Sequence, residues 1–265
     1  MAVDSGTNQS VERAAQLLTA LADAGHVRVR ASDLATAAGL GLSTASRLLA
    51  TLEGLGFVER DPVTSLYRLG PLAMKVGGAA ANQSPVHREA RQVVQNLAAR
   101  LGLGVNVARR HGDRLVYLVN AEGQLAPRSF TLLGQTNPLH ATGLGKCLLL
   151  GMSATDRREL LGDELTAFTA KTITTRNKLE AELSAAVKQG YATEVEELAL
   201  GRACVAAPVR DRGGQVVAAV SVSGSLSALD LGARRDELAQ TVVETADTIS
   251  TALGYTASTL SALQA

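Results

Sequence analysis

Apolar residues recur at helical spacing from the first structured stretch onward. Val11, Ala14, Ala15, Leu17, Leu18 and Leu21 share one face, which predicts a first helix over Ser10 to Ala24, capped by Ser10 and stopped by Gly25. A short β-leaning run, Val27 to Val29, leads to Ser32, placed to cap a two-turn helix that buries Leu34, Ala35 and Ala38 before Gly39 ends it. After Gly39-Leu40-Gly41 a third helix is expected from near Ser43. Its buried stripe is Ala45, Leu48, Leu49, Leu52 and Leu55, and its opposite face carries Ser43, Thr44, Arg47 and Thr51. Phe57 to Arg60 and Leu66 to Leu69 flank the turn formers Asp61 to Ser65 as a hairpin.

Pro71 opens a stretch with some helical character that Gly77-Gly78 is expected to interrupt, so residues 71–83 read as a linker helix. Ser84-Pro85 then gives an N-cap followed by proline at the first helical position, with Val86, Ala90, Val93, Val94, Leu97 and Leu101 on one face and Gly102 as the stop. Strands are predicted at Val105 to Ala108, Leu115 to Val119, Phe130 to Leu133, Arg202 to Val209 and Gln215 to Ser223. Helices are predicted from Pro138 and Ala141 through Leu150, over Thr175 to Gln189, and over Ala233 to Leu253. The order gives an α+β fold in three parts: a winged helix-turn-helix over residues 1–70, the linker helix, and an α/β domain over residues 84–265.

Composition narrows the class. A chain of 265 residues that is 46% hydrophobic has enough apolar material for packed domains, which excludes disorder, collagen and rod-like coiled coils. Two cysteines cannot form a disulfide framework or a four-ligand structural zinc site with the histidines available, so a reducing cytoplasm is the expected compartment. The polar start, Met1 to Ser10, lacks a signal-peptide pattern, and no run approaches membrane-spanning length, so no membrane partner is expected.

Net charge is only +1, and residues 1–75 hold seven basic and seven acidic side chains. A diffuse positive field is therefore not what this chain offers nucleic acid. What it offers is placement. Two helices joined by a glycine-containing turn and followed by a hairpin match the plan of a DNA reader whose third helix enters the major groove. Ser43, Thr44 and Thr51 supply hydroxyls, Arg47 can bond a guanine edge, and Arg60 and Arg68 sit beside the hairpin turn, where a wing meets phosphates. The competing reading is a ligand-binding adaptor whose winged module contacts protein. The basic group Arg109, Arg110, His111 and Arg114 reads as a solvated face or subunit contact.

Candidates for reactive chemistry are few: Cys147, Cys204, His140 and the carboxylates Glu194, Glu196 and Glu197. No nucleophile elbow, phosphate loop, dinucleotide fingerprint or zinc-protease motif accompanies them. Cys147 lies in an apolar run and reads as packing, His140 as a capping or hydrogen-bonding residue, and Glu196-Glu197 as a solvated turn. The expectation is no enzyme, no cofactor and no metal.

The chain resembles the isocitrate lyase regulator (IclR) family of bacterial transcription factors over about residues 10–255. The matching stretches are LATAAGLGLSTASRLLATLEGLGFVERD (34–61), PLHATGLGKCLL (138–149), GYATEVEE (190–197) and GRACVAAPVRDRGGQVVAAVSVSG (201–224). The resemblance implies a GAF-like effector-binding domain behind the winged module, homodimers often paired into tetramers, and ligand-controlled binding of double-stranded operator DNA, more often repressing than activating. It also implies a small organic or aromatic acid effector in a cavity at Gly143, Leu144, Glu194, Arg202, Cys204, Ser221 and Ser223. Ser221 and Ser223, two apart on a strand, point to one face, and Gly143 to Gly145 lies at a predicted helix start. Arg202 is expected to pair with Glu194, Glu196 or Glu197 rather than to meet an anionic effector.

Overall fold

The structure is a computed structural model that describes residues 8–126 and 131–256. The chain divides after Gln83 into two compact units.

The first unit is built as helix, helix, helix, hairpin, helix: α1 (Gln9–Asp23), α2 (Ala31–Ala37), α3 (Leu42–Gly54), β1 (Val58–Arg60), β2 (Tyr67–Leu69) and α4 (Pro71–Gln83). The stripes read from the sequence meet in one core of Leu17, Leu21, Leu34, Ala35, Ala45, Leu49, Leu52, Val58 and Tyr67. Each leucine taken from water there contributes about 1.5–3 kcal/mol. Gly39, at φ +63, supplies the left-handed turn residue after α2.

Four local expectations are corrected in this unit. Asn8, not Ser10, caps α1, because its side chain accepts from the Ser10 amide. Ser32 lies inside α2, which starts after Arg30, and its hydroxyl donates to Asp33. Leu55 follows α3 and is 60% exposed, since the chain leaves the helix before completing the stripe. Gly77-Gly78 does not interrupt α4, which runs unbroken through them with none of its residues buried.

The second unit comprises α5 (Pro85–Leu101), β3 (Gly104–His111), β4 (Arg114–Glu122), β5 (Thr136–Pro138), α6 (Gly143–Leu149), α7 (Ala154–Leu161), α8 (Arg176–Gln189), β6 (Ala192–Val195), β7 (Arg202–Arg210), β8 (Val216–Ser225), α9 (Leu226–Leu229) and α10 (Leu231–Ala252). Its strands form one antiparallel sheet in the order β5-β4-β3-β8-β7-β6. Side chains alternate between its faces. Val105, Val107, Val205, Ala207, Val220 and Val222 face α5 and α10, while Ala206 and Ala219 pack with α6 and α8 in a second core.

Ser84 caps α5 as expected, accepting from the His87 amide, and Gly102 closes it at φ +73. Of the strand expected at Phe130 to Leu133, Phe130 lies outside the described residues and Thr131 to Leu133 is not strand. The edge place is taken by β5, three residues long and paired with β4. The helix expected from Pro138 or Ala141 starts at Gly143, because Thr142 caps it through the Gly145 amide. The last helix starts two residues earlier than expected, and β6, α7 and the four-residue α9 have no counterpart among the predicted elements. Among the described residues no helix is long and apolar enough to cross a membrane.

Candidate functional site

The α3 face opposite its leucine stripe presents Ser43, Arg47 and Thr51 exposed and Thr44 half-buried. Thr51 donates its hydroxyl hydrogen to the Arg47 carbonyl, which leaves its oxygen as an acceptor. In the hairpin the two arginines differ. Arg60 is held by the Ser65 hydroxyl at 3.0 Å and lies over the Tyr67 ring, so its charge is uncompensated by either contact. Arg68 faces Glu59 directly across the ladder and forms a two-contact ion pair with it, at 2.7 and 2.5 Å. Asp61 shapes the turn by accepting from the Val63 and Thr64 amides. Those bonds, with Arg28 adjacent, hold its carboxyl below the usual range.

In the second unit a cavity of about 200 Å³ opens between the α6 face of the sheet, the start of α6 and the turn after β6. Leu144, Glu194, Arg202, Cys204, Ser221 and Ser223 all line it. Gly143 is not on the lining; it lets the start of α6 lie close against the sheet, since a Cβ there would stand 2.8 Å from the Cys204 sulfur. The floor is two cross-strand rows. Glu194, Cys204 and Ser223 are successive register partners on β6, β7 and β8, and Ala206, Ser221, Asn106 and Asn120 form the next row across to β4, of which Ser221 and Asn106 line the cavity.

Several lining residues had no signature in the sequence. Asn106 accepts from Asn120 at 2.8 Å and donates to Ser223 at 3.1 Å; Asn137 donates to the Tyr117 hydroxyl at 3.0 Å. The one available signal was Asn106 itself, a polar residue between two valines on a strand whose valine face is buried. Burial raises the Tyr117 pKa, so its hydroxyl stays protonated and able to donate.

Glu194 is buried in the wall, and its Oε1 accepts from the Glu197 amide at 2.6 Å and the Leu198 amide at 3.3 Å. Desolvation nevertheless outweighs these bonds and raises its pKa. The expected pairing of Arg202 is overturned. Among the described residues no ion pair joins Arg202 to any of the three: Glu194 accepts backbone amides through Oε1, Glu196 pairs with Lys171, and Glu197 is buried against Lys146 rather than solvated, so Arg202 stands exposed on the cavity lining.

The reactive candidates are muted by burial. The Cys147 thiol is pushed up to about 12 and donates to the Ala206 carbonyl, and the Cys204 thiol is pushed up as well. Neither supplies a thiolate near neutral pH. His140 bonds the Thr166 carbonyl at 2.9 Å and has its pKa lowered by desolvation. Among the described residues no three His, Cys, Asp or Glu side chains are grouped to hold a metal ion. Arg109, Arg110, His111 and Arg114 are all exposed, clustered at the turn end of the β3–β4 hairpin.

Two family models match the chain: the IclR helix-turn-helix domain over residues 10–62 and the bacterial transcriptional regulator IclR C-terminal domain over residues 78–251. The HTH-type transcriptional regulator XynR of Escherichia coli is 33% identical over 253 residues, covering 94% of this chain and 98% of that protein. The repressor AllR of Klebsiella pneumoniae is 36% identical over 249 residues, covering 93% and 90%. A crystal structure of an IclR transcriptional regulator from Alicyclobacillus acidocaldarius superposes with a TM-score of 0.84 at 27% identity, covering 94% of this chain and all of that one.

Proposed function

The chain belongs to the IclR family of bacterial transcriptional regulators, and from that premise we propose that it is a repressor of a small-molecule catabolic or metabolic operon, released or tightened by a small organic or aromatic acid. Residues 1–70 act as the winged reader, 71–83 as the linker helix and 84–265 as the effector-binding domain. A homodimer presents two α3 helices to successive major grooves of a pseudo-palindromic operator, and two dimers can pair. Ser43, Thr44, Arg47 and Thr51 meet the groove, and Arg60 and Arg68 the phosphates. Gly143, Leu144, Glu194, Arg202, Cys204, Ser221 and Ser223 form the effector site. The effector shifts operator affinity by binding one arrangement of the dimer better than another.

The observation that carries the acid assignment is Arg202 on the cavity lining with no carboxylate partner among the described residues, together with the hydroxyls of Ser221 and Ser223 on the same lining. An effector carboxylate completes that set with a charge-assisted bond. A mobility-shift titration on the promoter of the adjacent operon, with and without small aliphatic and aromatic acids, tests the reading. Retardation that one acid modulates supports it. No retardation, with the winged module instead retaining a protein, replaces it by the adaptor reading.

A further inference from the structure

Lys146 has a side chain 1% exposed on a helix, α6, whose seven residues are all buried. Its Nζ donates to the Thr193 carbonyl at 3.1 Å and to Glu197 Oε1 at 2.6 Å, and Glu182 lies 3.9 Å away. Thr193 and Glu197 bracket Glu194, and the Glu197 amide is itself the shorter of the two donors to the Glu194 carboxylate. The same turn includes Glu196 at φ +58, and Thr169 and Thr172 donate to the carbonyls of Glu196 and Glu197, each at 2.6 Å. One ammonium thus grips the chain on both sides of a cavity-lining carboxylate that it does not touch.

We propose that Lys146 is a positioning residue of the cavity: through Thr193 and Glu197 it fixes the turn over residues 193–198, and so the direction in which Glu194 meets a ligand. The ligand side of this inference rests on the effector reading above. Stability is a poor account of the pair. A buried ion pair often contributes no more than apolar residues of the same volume would. What the pair does supply is a single geometry for the turn.

The test separates geometry from stability. Lys146→Met alone strands a buried carboxylate and is expected to destabilise strongly, so the informative variant is Lys146→Met with Glu197→Met, which removes both charges at similar volume. In full-length protein without ligand, amide hydrogen exchange at Glu197 and Leu198 is expected to quicken about tenfold in that variant while amides at the centre of β8 keep wild-type protection. Glu197→Gln, which keeps an acceptor for Lys146, is expected to quicken the same two amides by a smaller factor. Unchanged exchange at Glu197 and Leu198 in either variant, or acceleration spread equally over β8, overturns the proposal. Calorimetry with pyruvate, glycolate and benzoate then reads the ligand arm. Wild-type protein that binds none of the three counts against the effector reading alone, and the exchange result still decides the role of Lys146. A ligand bound equally by wild type and double variant overturns the positioning role.

Discussion

A carboxyl group buried in a cavity wall and bonded to two amides, as Glu194 is, has its ionisation drawn both ways. Burial raises its pKa, the Glu197 and Leu198 amides lower it, the Glu197 charge raises it and Lys146 lowers it; burial prevails. Burial holds Tyr117 and Cys204 protonated, so among the lining groups raised by burial Glu194 is the carboxyl that titrates, and Glu197 behind it, also raised by burial, reinforces the same direction. An ionised Glu194 repels an anionic effector and a protonated one does not. Affinity for a carboxylate effector should therefore rise as pH falls from neutral through the raised range of Glu194, and Glu194→Gln should flatten that profile. Calorimetric titration between about pH 5 and pH 8 checks it, a window in which a simple carboxylate ligand stays ionised. The stability sign is the same: a raised carboxyl favours the folded state at low pH and loses that contribution as pH rises through its folded value. Glu194→Gln should accordingly gain in melting temperature over wild type as pH increases. Ser221→Ala with Ser223→Ala removes two floor hydroxyls, and is expected to abolish the ligand response in a mobility-shift assay while operator affinity stays at the wild-type level.

At the scale of elements, the hairpin separates two arginines that the sequence had treated alike. Arg60 is held by a hydroxyl and a ring, whereas Arg68 is neutralised by Glu59 across the ladder. Arg60→Ala should therefore weaken operator binding more than Arg68→Ala. Glu59→Ala should strengthen it and steepen its salt dependence by about one unit of slope per protomer. In α3, Arg47→Ala is expected to cost about 1–3 kcal/mol of specific affinity, measured as retarded fraction against competitor DNA, with effector affinity unchanged. Regular elements were legible where one period ran long enough to define a face, as in α1, α3, α5 and α10, and where a stop or cap was stereochemically distinctive, as at Ser84 and Gly102. Short elements were not: β5 has three residues and β6 four, too few for an alternation to show, and both take their strand character from pairing with a longer strand. The same reason explains Arg202. Nearness along the chain suggested pairing with Glu194, Glu196 or Glu197, but those three were engaged by an amide pair, Lys171 and Lys146, two of them made near only by folding. Lys146 itself was hidden in an apolar run, where a lysine gives no sign of being buried.

For the whole molecule, near-neutrality sets how affinity depends on conditions. Residues 1–75 sum to zero and residues 76–265, with 19 basic and 18 acidic side chains, to +1. Binding that rests on Arg47 and the hairpin in each protomer of a dimer releases few counterions. With Arg47 and one or both hairpin arginines in each protomer, the logarithm of operator affinity should then fall with the logarithm of salt at a slope of roughly −3.6 to −5.4, and non-specific binding should be weak. Fluorescence anisotropy across a salt series measures both, and a slope near that of a strongly basic repressor would reject so small a phosphate footprint. The cross-strand rows of the cavity floor carry a different kind of consequence. The backbone groups of Glu194, Cys204, Ser221, Ser223 and Asn106 belong to the sheet ladder whatever their side chains are. Cys204 and Ser221 can therefore be exchanged for other small residues without re-registering a strand, whereas the side chains of Glu194 and Asn106 carry bonds of their own. Lineages descended from such a regulator can acquire new inducers by a handful of point changes in the floor, keeping their operator and their fold while the chemistry they sense drifts.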